Sequence, residues 1–228
     1  DWSSDVCSSD LKPVVLVLNE GRPRNISRFE PKLKAILQLF IPGNYGGDAL
    51  ADILSGKINP SGKLPITYPR YVNSLATYIH KPSDELTNPQ GAYDYSADYN
   101  PLYDFGYGLS YTRFSFSDLK TNKTKYKLND TMYVAVDVKN VGSMKGKEVV
   151  KIFVSDKVAS LSPDVKRLRA FDKVEINSGE TKNIQLAIPV KSLAFTGTDN
   201  KQHLEKGSFT IEVENLRTEV ELNDSIVW

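Results

Sequence analysis

Residues 131–140 read TMYVAVDVKN, and this stretch decides the fold of the C-terminal half of the chain. Apolar side chains stand at every second position, at Met132, Val134, Val136 and Val138. Because successive side chains of a strand point to opposite faces, this alternation predicts a β-strand with one buried face. The pattern recurs at residues 148–156, 168–176, 182–189 and 208–215, with turn residues such as those at 177–179 between them. Strands and turns at this spacing predict an all-β sandwich for residues 113–228.

The N-terminal half has a different pattern, which is typical of an α/β layer. Residues 14–18 (VVLVL) form a continuous apolar run, which indicates a strand buried on both faces of a parallel sheet. A second apolar run follows at residues 35–40, and a helical pattern then begins at Gly46 and Gly47, has Asp48 in its first turn and ends at Gly56. Two strands and one helix are too few to cover a parallel sheet on both faces. Residues 12–70 are therefore predicted to be an incomplete α/β (parallel-sheet) fragment, and residues 71–112 an aromatic-rich linker and domain junction.

The first eleven residues, DWSSDVCSSDL, resemble the in-frame translation of a sequencing-library adapter. They contain no Lys or Arg and no apolar run, so they lack the pattern of a secretion signal. We expect residues 1–11 to be an artefact that packs against nothing. Cys7 is the only cysteine of the chain, and without it no disulfide, thiolate metal site or cysteine nucleophile is expected.

Composition and charge exclude several classes of protein. With 40% hydrophobic and 25% charged residues, the 228-residue chain is expected to bury an ordinary globular core. Its 29 basic and 28 acidic residues are interspersed and give a net charge of +1, which argues against a nucleic acid partner. No apolar run approaches the roughly 20 residues of a membrane span, so no membrane partner is predicted. The two histidines, His80 and His203, lack the spacing of a zinc site, and no metal is predicted.

Three short motifs within residues 43–112 are given structural roles. Glycines at the helix start either cradle an anion or let the helix pack closely, and packing is the favoured interpretation. In the second motif an Asn-Pro pair begins a turn in which Gly62 is expected to supply a positive φ. In the third, two glycines let neighbouring aromatic residues turn into a domain junction. The motif residues are Gly43, Gly46 and Gly47; Asn59, Pro60 and Gly62; and Phe105, Gly106, Gly108 and Tyr111.

These motifs, together with NEGRP at residues 19–23, resemble the closing section of glycoside hydrolase family 3, of the β-glucosidase type with a fibronectin type III-like domain. The matching strings are PGNYGGDALADILSGKINPSGKLPITYPR and PLYDFGYGLSYTRF, and the resemblance covers everything after residue 11. It implies an immunoglobulin-like (fibronectin type III-like) sandwich at residues 113–228. It also implies a retaining, exo-acting hydrolase for terminal β-linked sugars of an oligosaccharide or β-glucoside, with no cofactor, in the periplasm or outside the cell.

The resemblance also implies where the catalytic carboxylates lie. In this family the nucleophilic aspartate belongs to an N-terminal barrel domain, and the acid/base glutamate lies upstream of the strand that begins here at Val14. No catalytic residue is therefore expected in this chain, which is predicted to be inactive without the barrel and the rest of the α/β domain. Glu20 is the one tempting candidate, because it follows a parallel strand at the sheet edge where α/β folds bind ligands. The alternative, which we favour, is that Glu20 supports the active site by orienting or pairing with Arg22.

The predicted sandwich at residues 113–228 is compatible with two roles. It is either a carbohydrate-binding or interaction module that operates alone, or a structural domain that stabilises its α/β neighbour. Sugar stacking needs exposed aromatic residues, whereas Tyr133, Phe153, Phe171 and Phe209 are expected mostly on inward positions. The structural role is therefore preferred for residues 113–228.

Overall fold

The computed structural model describes residues 12–72, 77–82 and 100–228. The adapter-like residues 1–11, and residues 73–76 and 83–99 of the predicted linker, lie outside this part of the chain. The described residues form two compact units. The first, called the α/β unit below, contains residues 12–58, 64–72, 77 and 100–107, and the second, the sandwich unit, contains residues 59–63, 78–82 and 108–228.

The α/β unit has the predicted order of strand, strand and helix. Strand β1 spans Val15–Leu18, a 3-10 turn Glu30–Lys32, strand β2 Ala35–Gln38 and helix α1 Gly46–Leu54. The two strands pair in parallel, with Val15 opposite Ala35 and Leu18 opposite Gln38. Both strands start or stop within two residues of the predicted limits. Gly56 has a φ of 77°, a conformation in which glycine is favoured after a helix end.

The parallel pair is only partly covered by the residues that the structure describes. Val15 is 43% exposed and Val17 is 36% exposed, although strands of a parallel sheet are normally buried on both faces. Leu54 and Ile58, at and after the end of α1, are exposed as well. The fold class predicted for this half, an incomplete α/β layer, is confirmed.

The sandwich unit contains eleven strand segments in its described residues. Their bounds are β3 Phe114–Thr121, β4 Lys125–Tyr126, β5 Thr131–Asn140, β6 Gly146–Asp156, β7 Arg167–Ile176, β8 Thr181–Pro189, β9 Phe195–Thr196, β10 Gln202–Leu204, β11 Gly207–Val213, β12 Leu216–Leu222 and β13 Ile226–Val227. One sheet has the order β4-β12-β11-β6-β7 and the other β3-β5-β8, and a small sheet β13-β10-β9 completes the unit. The predicted all-β sandwich is confirmed.

The sandwich core follows the alternation of β5. Met132, Val134, Val136 and Val138 are each at most 1% exposed, and they pack with buried residues of β6, β11 and β12. Burial of these side chains stabilises the unit by about 25 cal/mol per Å² of apolar surface removed from water. No helix in the described residues is long and apolar enough to cross a membrane.

The expected positions of the sandwich aromatics are only half right. Phe153 and Phe209 are buried, as expected, but Tyr133 is 43% exposed and Phe171 is 66% exposed. The reason is the period of two along each strand: Tyr133 stands between two core residues of β5 and so points to the opposite face. The argument from absent surface aromatics against sugar binding is therefore weakened.

Candidate functional site

The candidate site lies at the carboxyl end of β1, where Glu20 follows the strand by two residues. One carboxylate oxygen of Glu20 accepts a hydrogen bond from the backbone N–H of Arg24, at 3.2 Å. The other oxygen forms an ion pair with Nε of Arg24, also at 3.2 Å. The Glu20 side chain is only 10% exposed, whereas that of Arg24 is 81% exposed. Both oxygens of the buried carboxylate are thus engaged within its own loop.

The partner of Glu20 differs from the one expected. The sequence suggested Arg22, but the ion pair in the structure is formed with Arg24, and Arg22 is exposed on the same loop. The physical reason is the path of the backbone, which bends at residues 21 and 22 and places both the N–H and the Nε of Arg24 within 3.2 Å of the carboxylate. Nothing in the sequence spacing alone distinguishes the two arginines.

Tyr68 is a member of this cluster that the sequence motifs did not single out. Its hydroxyl donates a hydrogen bond to the backbone carbonyl of Arg24, at 2.9 Å, and the residue is only 2% exposed. Burial, and then the negative charge of Glu20, raise the pKa of Tyr68 to about 12. The hydroxyl is therefore a neutral donor that holds the loop after β1 in place.

A second carboxylate in the α/β unit is held in a similar way. Glu30 accepts a hydrogen bond from the hydroxyl of Tyr103, at 2.8 Å. Burial and this bond to Glu30 raise the pKa of Tyr103 above its ordinary value. The Tyr103 ring stacks on Tyr107 at 5.0 Å and meets Tyr68 edge-on at 6.1 Å. The tyrosines thus link the segment at residues 100–107 to the loop after β1.

Two buried polar atoms of the α/β unit have no partner among the described residues. Gln38, the last residue of β2, donates from Nε2 to the backbone carbonyl of Glu20 at 3.4 Å, but its Oε1 atom is buried and accepts no hydrogen bond. The hydroxyl of Thr67 is also buried and forms no hydrogen bond with a described residue. A buried polar group without a partner costs about 1–3 kcal/mol, so both mark places where a further donor or acceptor would be stabilising.

The glycines at the start of α1 have the contacts of a packing role. A Cβ atom added to Gly46, which is buried, would lie 2.5 Å from Cβ of Pro42, so only glycine fits there. Gly43 has a φ of 69°, which glycine adopts without strain. A Cβ atom added to Gly47 would have no neighbour within 4 Å. Close packing at Gly46 and a positive φ at Gly43 thus explain why glycine stands at these positions, without a bound anion.

In the sandwich unit, the contacts of Asn59 and Gly108 give structural reasons for the turn motif (Asn59, Pro60 and Gly62) and for the aromatic motif (Phe105, Gly106, Gly108 and Tyr111). Oδ1 of Asn59 accepts hydrogen bonds from the hydroxyl of Ser110, at 2.8 Å, and from the backbone N–H of Tyr111, at 2.9 Å. A Cβ atom at Gly108 would lie 2.4 Å from the carbonyl oxygen of Gly62. The expected positive φ of Gly62 is wrong: the close approach needs a missing Cβ at Gly108, not a left-handed turn at Gly62.

The other residues of these two motifs differ in exposure: Pro60 and Phe105 are half-buried, and Tyr111 is 50% exposed. Gly106 has a φ of 81°, which glycine adopts without strain. No group of three or more His, Cys, Asp or Glu side chains in the described ranges is arranged to hold a metal ion.

The chain is similar to known glycosidases over most of its length. Residues 4–111 match the sequence profile of the Glycosyl hydrolase family 3 C-terminal domain, and residues 148–216 match that of the Fibronectin type III-like domain. It is 37% identical over 206 residues to the periplasmic β-glucosidase of Salmonella typhimurium, an alignment covering 88% of this chain and 27% of that protein. It is 37% identical over 203 residues to a β-xylosidase of Formosa agariphila, covering 89% of this chain and 28% of that protein.

Solved structures give the same result. A β-glucosidase from Erythrobacter marinus superimposes with a TM-score of 0.82 at 35% identity, covering 92% of this chain and 28% of that one. The β-glucosidase from Listeria innocua in complex with glucose superimposes with a TM-score of 0.83 at 31% identity, covering 93% of this chain and 31% of that one. The chain thus spans between a quarter and a third of the length of these relatives. It belongs to glycosyl hydrolase family 3, with the C-terminal domain of that family followed by a fibronectin type III-like domain.

Proposed function

We propose that this chain is the C-terminal portion of a retaining, exo-acting glycoside hydrolase of the β-glucosidase type. Its substrates are oligosaccharides or β-glucosides from which it removes a terminal β-linked sugar. The family match and the β-glucosidase and β-xylosidase names of its relatives support this class. The observation that carries the assignment of roles is the double engagement of the Glu20 carboxylate by Arg24.

The reaction needs two carboxyl groups about 5–5.5 Å apart, one as nucleophile and one as acid/base. Neither Glu20 nor Glu30 is free for these tasks, because Arg24 holds the first and the Tyr103 hydroxyl is bonded to the second. As the family resemblance implies, the nucleophilic aspartate and the acid/base glutamate of this proposal are contributed by a barrel domain and the rest of the α/β domain. No cofactor enters this chemistry.

Glu20 and Arg22 have supporting roles in this proposal. Glu20 fixes the shape of the loop after β1 through Arg24, and this shape presents the exposed Arg22 at the carboxyl edge of the sheet. Such edges are where open α/β sheets bind ligands. Arg22, with its five N–H donors, is suited to bind sugar hydroxyls or to orient a catalytic carboxylate.

Hydrolysis of an aryl β-glucoside tests the proposal. The 228-residue chain alone should show no turnover above buffer, and a protein that restores the upstream barrel and α/β residues should be active. In that longer protein, Glu20→Gln should lower kcat/KM by about tenfold or less, because a supporting residue loses less than a catalytic carboxylate, which costs about three orders of magnitude or more. Asp48→Asn, an exposed carboxylate in helix α1, is the matched control. Hydrolysis by the chain alone that Glu20→Gln abolishes would contradict the proposal.

The domain limits are also proposed: residues 12–70 as α/β piece, 71–112 as linker and junction, and 113–228 as a sandwich that stabilises its neighbour. Residues 59–63 group with the sandwich in the structure, so a protein truncated to 113–228 lacks part of that unit. Limited proteolysis followed by mass spectrometry tests these limits, and we expect the surviving core to begin near Tyr111. A core beginning near Lys12 would contradict the limits.

Export to the periplasm or the cell exterior is the proposed location, and it is supported by the periplasmic relative from Salmonella. Neither a nucleic acid nor a membrane is proposed as a partner. Fractionation of cells that express the complete gene tests the location, and activity confined to the cytoplasm would contradict it.

A further inference from the structure

The sandwich unit contains a cavity of about 210 Å³ whose lining is unusually rich in charge. It lies between the end of β6, the start of β7 and the loop that joins these strands, with side chains from β9 and β11 completing the wall. Pockets for drug-sized ligands begin at about 300 Å³, so this cavity suits a single small molecule. The charged side chains in its wall are Lys81, Asp156, Asp164, Arg167 and Arg169.

Three of these charged groups pair with one another and together keep a net charge of +1. Asp164, whose side chain is only 9% exposed, forms an ion pair with Nζ of Lys81 at 2.8 Å and a second, short one with Nε of Arg167. These two cations hold the pKa of the Asp164 carboxyl below its ordinary value, against the effect of burial. Asp164 therefore offers little to a ligand beyond a rigid, charged wall.

Asp156 and Arg169 form no direct ion pair with a described residue, although the charge of Asp164 also acts on Arg169. Asp156 accepts a hydrogen bond from the backbone N–H of Val158, at 3.1 Å, and forms no ion pair with any described residue. Burial and the neighbouring charge of Glu205 raise the pKa of its carboxyl. Nε of Arg169 is buried and has no acceptor among the described residues. The wall of one cavity thus contains a carboxylate with a single backbone hydrogen bond and a guanidinium group whose Nε has no acceptor among the described residues.

This pair of groups selects the chemistry of the ligand. An anion would satisfy Arg169 but would be repelled by Asp156, and a cation would meet the opposite problem. A hydroxyl group both donates and accepts hydrogen bonds, so a molecule with several adjacent hydroxyls satisfies the carboxylate and the guanidinium together. The rings of Phe195 and Phe209 in the wall provide apolar surface for the C–H face of such a molecule.

We propose that this cavity binds one neutral sugar unit, whose hydroxyls donate to Asp156 and accept from Arg169. The ligand is either a free monosaccharide or the terminal unit of an oligosaccharide. The proposal concerns binding by this chain and does not depend on the hydrolase activity proposed above. Failure of either one leaves the other intact.

Titration of the ¹⁵N-labelled 228-residue chain with methyl β-D-glucoside, followed by amide chemical shifts, tests the proposal. We expect saturable shifts at residues of the cavity wall, with a dissociation constant on the order of millimolar for a ligand of this size. Cellobiose distinguishes a terminal unit, which would bind as well as or better than the monosaccharide, from a site open only to free sugars. Sodium acetate and phosphate are the anionic probes.

Asp156→Asn and Arg169→Gln should each weaken glucoside binding by about tenfold, the loss of one hydrogen bond to a charged group. The control Asp172→Asn changes an exposed carboxylate on β7, the strand that carries Arg169, and should leave binding unchanged. Amide spectra check that each variant is folded. If a variant does not fold, the titration of the wild-type chain still decides whether the cavity binds the glucoside. The proposal is overturned by no saturable shift up to about 100 mM glucoside, by anions binding there instead of the glucoside, or by equal binding in all three variants.

Discussion

Glu148→Gln should strongly destabilise the sandwich unit, because it breaks a buried ion pair on one side only. Glu148 lies on β6, and its Oε1 atom is 3.0 Å from Nζ of Lys63 in the turn motif. The two side chains are 8% and 15% exposed, so solvent screens them little. Nζ of Lys63 also donates to the backbone carbonyl of Gly108, at 2.7 Å. The pair therefore links the turn that contains Gly62, and the segment that contains Gly108, to the sandwich sheet.

The expected magnitude follows from what the substitution leaves behind. Glutamine keeps the shape of the side chain but leaves the Lys63 ammonium buried without a counter-charge, and breaking a buried pair in this way costs about 3–5 kcal/mol. For a unit of this size such a loss corresponds to a fall in Tm on the order of 10 °C or more. Lys63→Met should cost a similar amount, because it leaves the carboxylate unpaired. The double variant Lys63→Met/Glu148→Leu, with two apolar residues, should lose less than the sum of the two.

Urea unfolding of the 228-residue chain, followed by circular dichroism, measures the free energy of unfolding and its m-value. Glu221→Gln is the matched control, because it removes an exposed partner of Lys125 in the same sandwich and at a similar distance of 2.9 Å. We expect no measurable change there. If Glu148→Gln cost less than about 1 kcal/mol, in the range of exposed pairs, the assignment of Lys63 and Glu148 as a buried link would be refuted.

Three further substitutions have expected outcomes. Gly108→Ala should destabilise the sandwich unit by about 1–3 kcal/mol, because its Cβ would lie 2.4 Å from the carbonyl oxygen of Gly62; unchanged urea unfolding would argue against that close approach. Asn140→Ala should cost about 3 kcal/mol in the same assay, since the fully buried amide donates to two backbone carbonyls, at 2.8 and 3.0 Å; a cost under about 1 kcal/mol would contradict this. The raised pKa of Tyr68 predicts that stability falls as pH rises from 10.0 to about 12, because the unfolded chain loses its proton first. Tyr68→Phe should make this fall shallower, and identical pH profiles for the two proteins would contradict the assignment.

Local patterns explain how much of the fold was predictable from the sequence. The alternation of residues 131–140 predicts both strand β5 and its buried face, because period two is a property of the strand itself. The run VVLVL and the glycines around α1 similarly predict a parallel strand and a helix with its limits. The expected inward positions of Tyr133 and Phe171 are wrong, because both residues alternate with the inward positions of their strands and are exposed. The same pattern, applied strictly, places Tyr133 outward.

The candidate site depended on contacts that no local pattern contains. Whether Glu20 pairs with Arg22 or Arg24 is set by the path of the loop after β1, and Tyr68, which is far along the chain, holds that loop at the carbonyl of Arg24. Likewise, Lys63 meets Glu148 only because the turn motif is packed in the sandwich unit.

The sequence by itself thus determined the class of each half, the helix and main strands, and the family resemblance, because these follow from residue periodicity and short motifs. Only the tertiary structure decided the partner of Glu20, the buried link to Glu148 and the meeting of Asp156 and Arg169 in the wall of one cavity. The physical reason is that hydrogen bonds and ion pairs require atoms within about 3–4 Å, and such proximity between distant residues is created by chain folding.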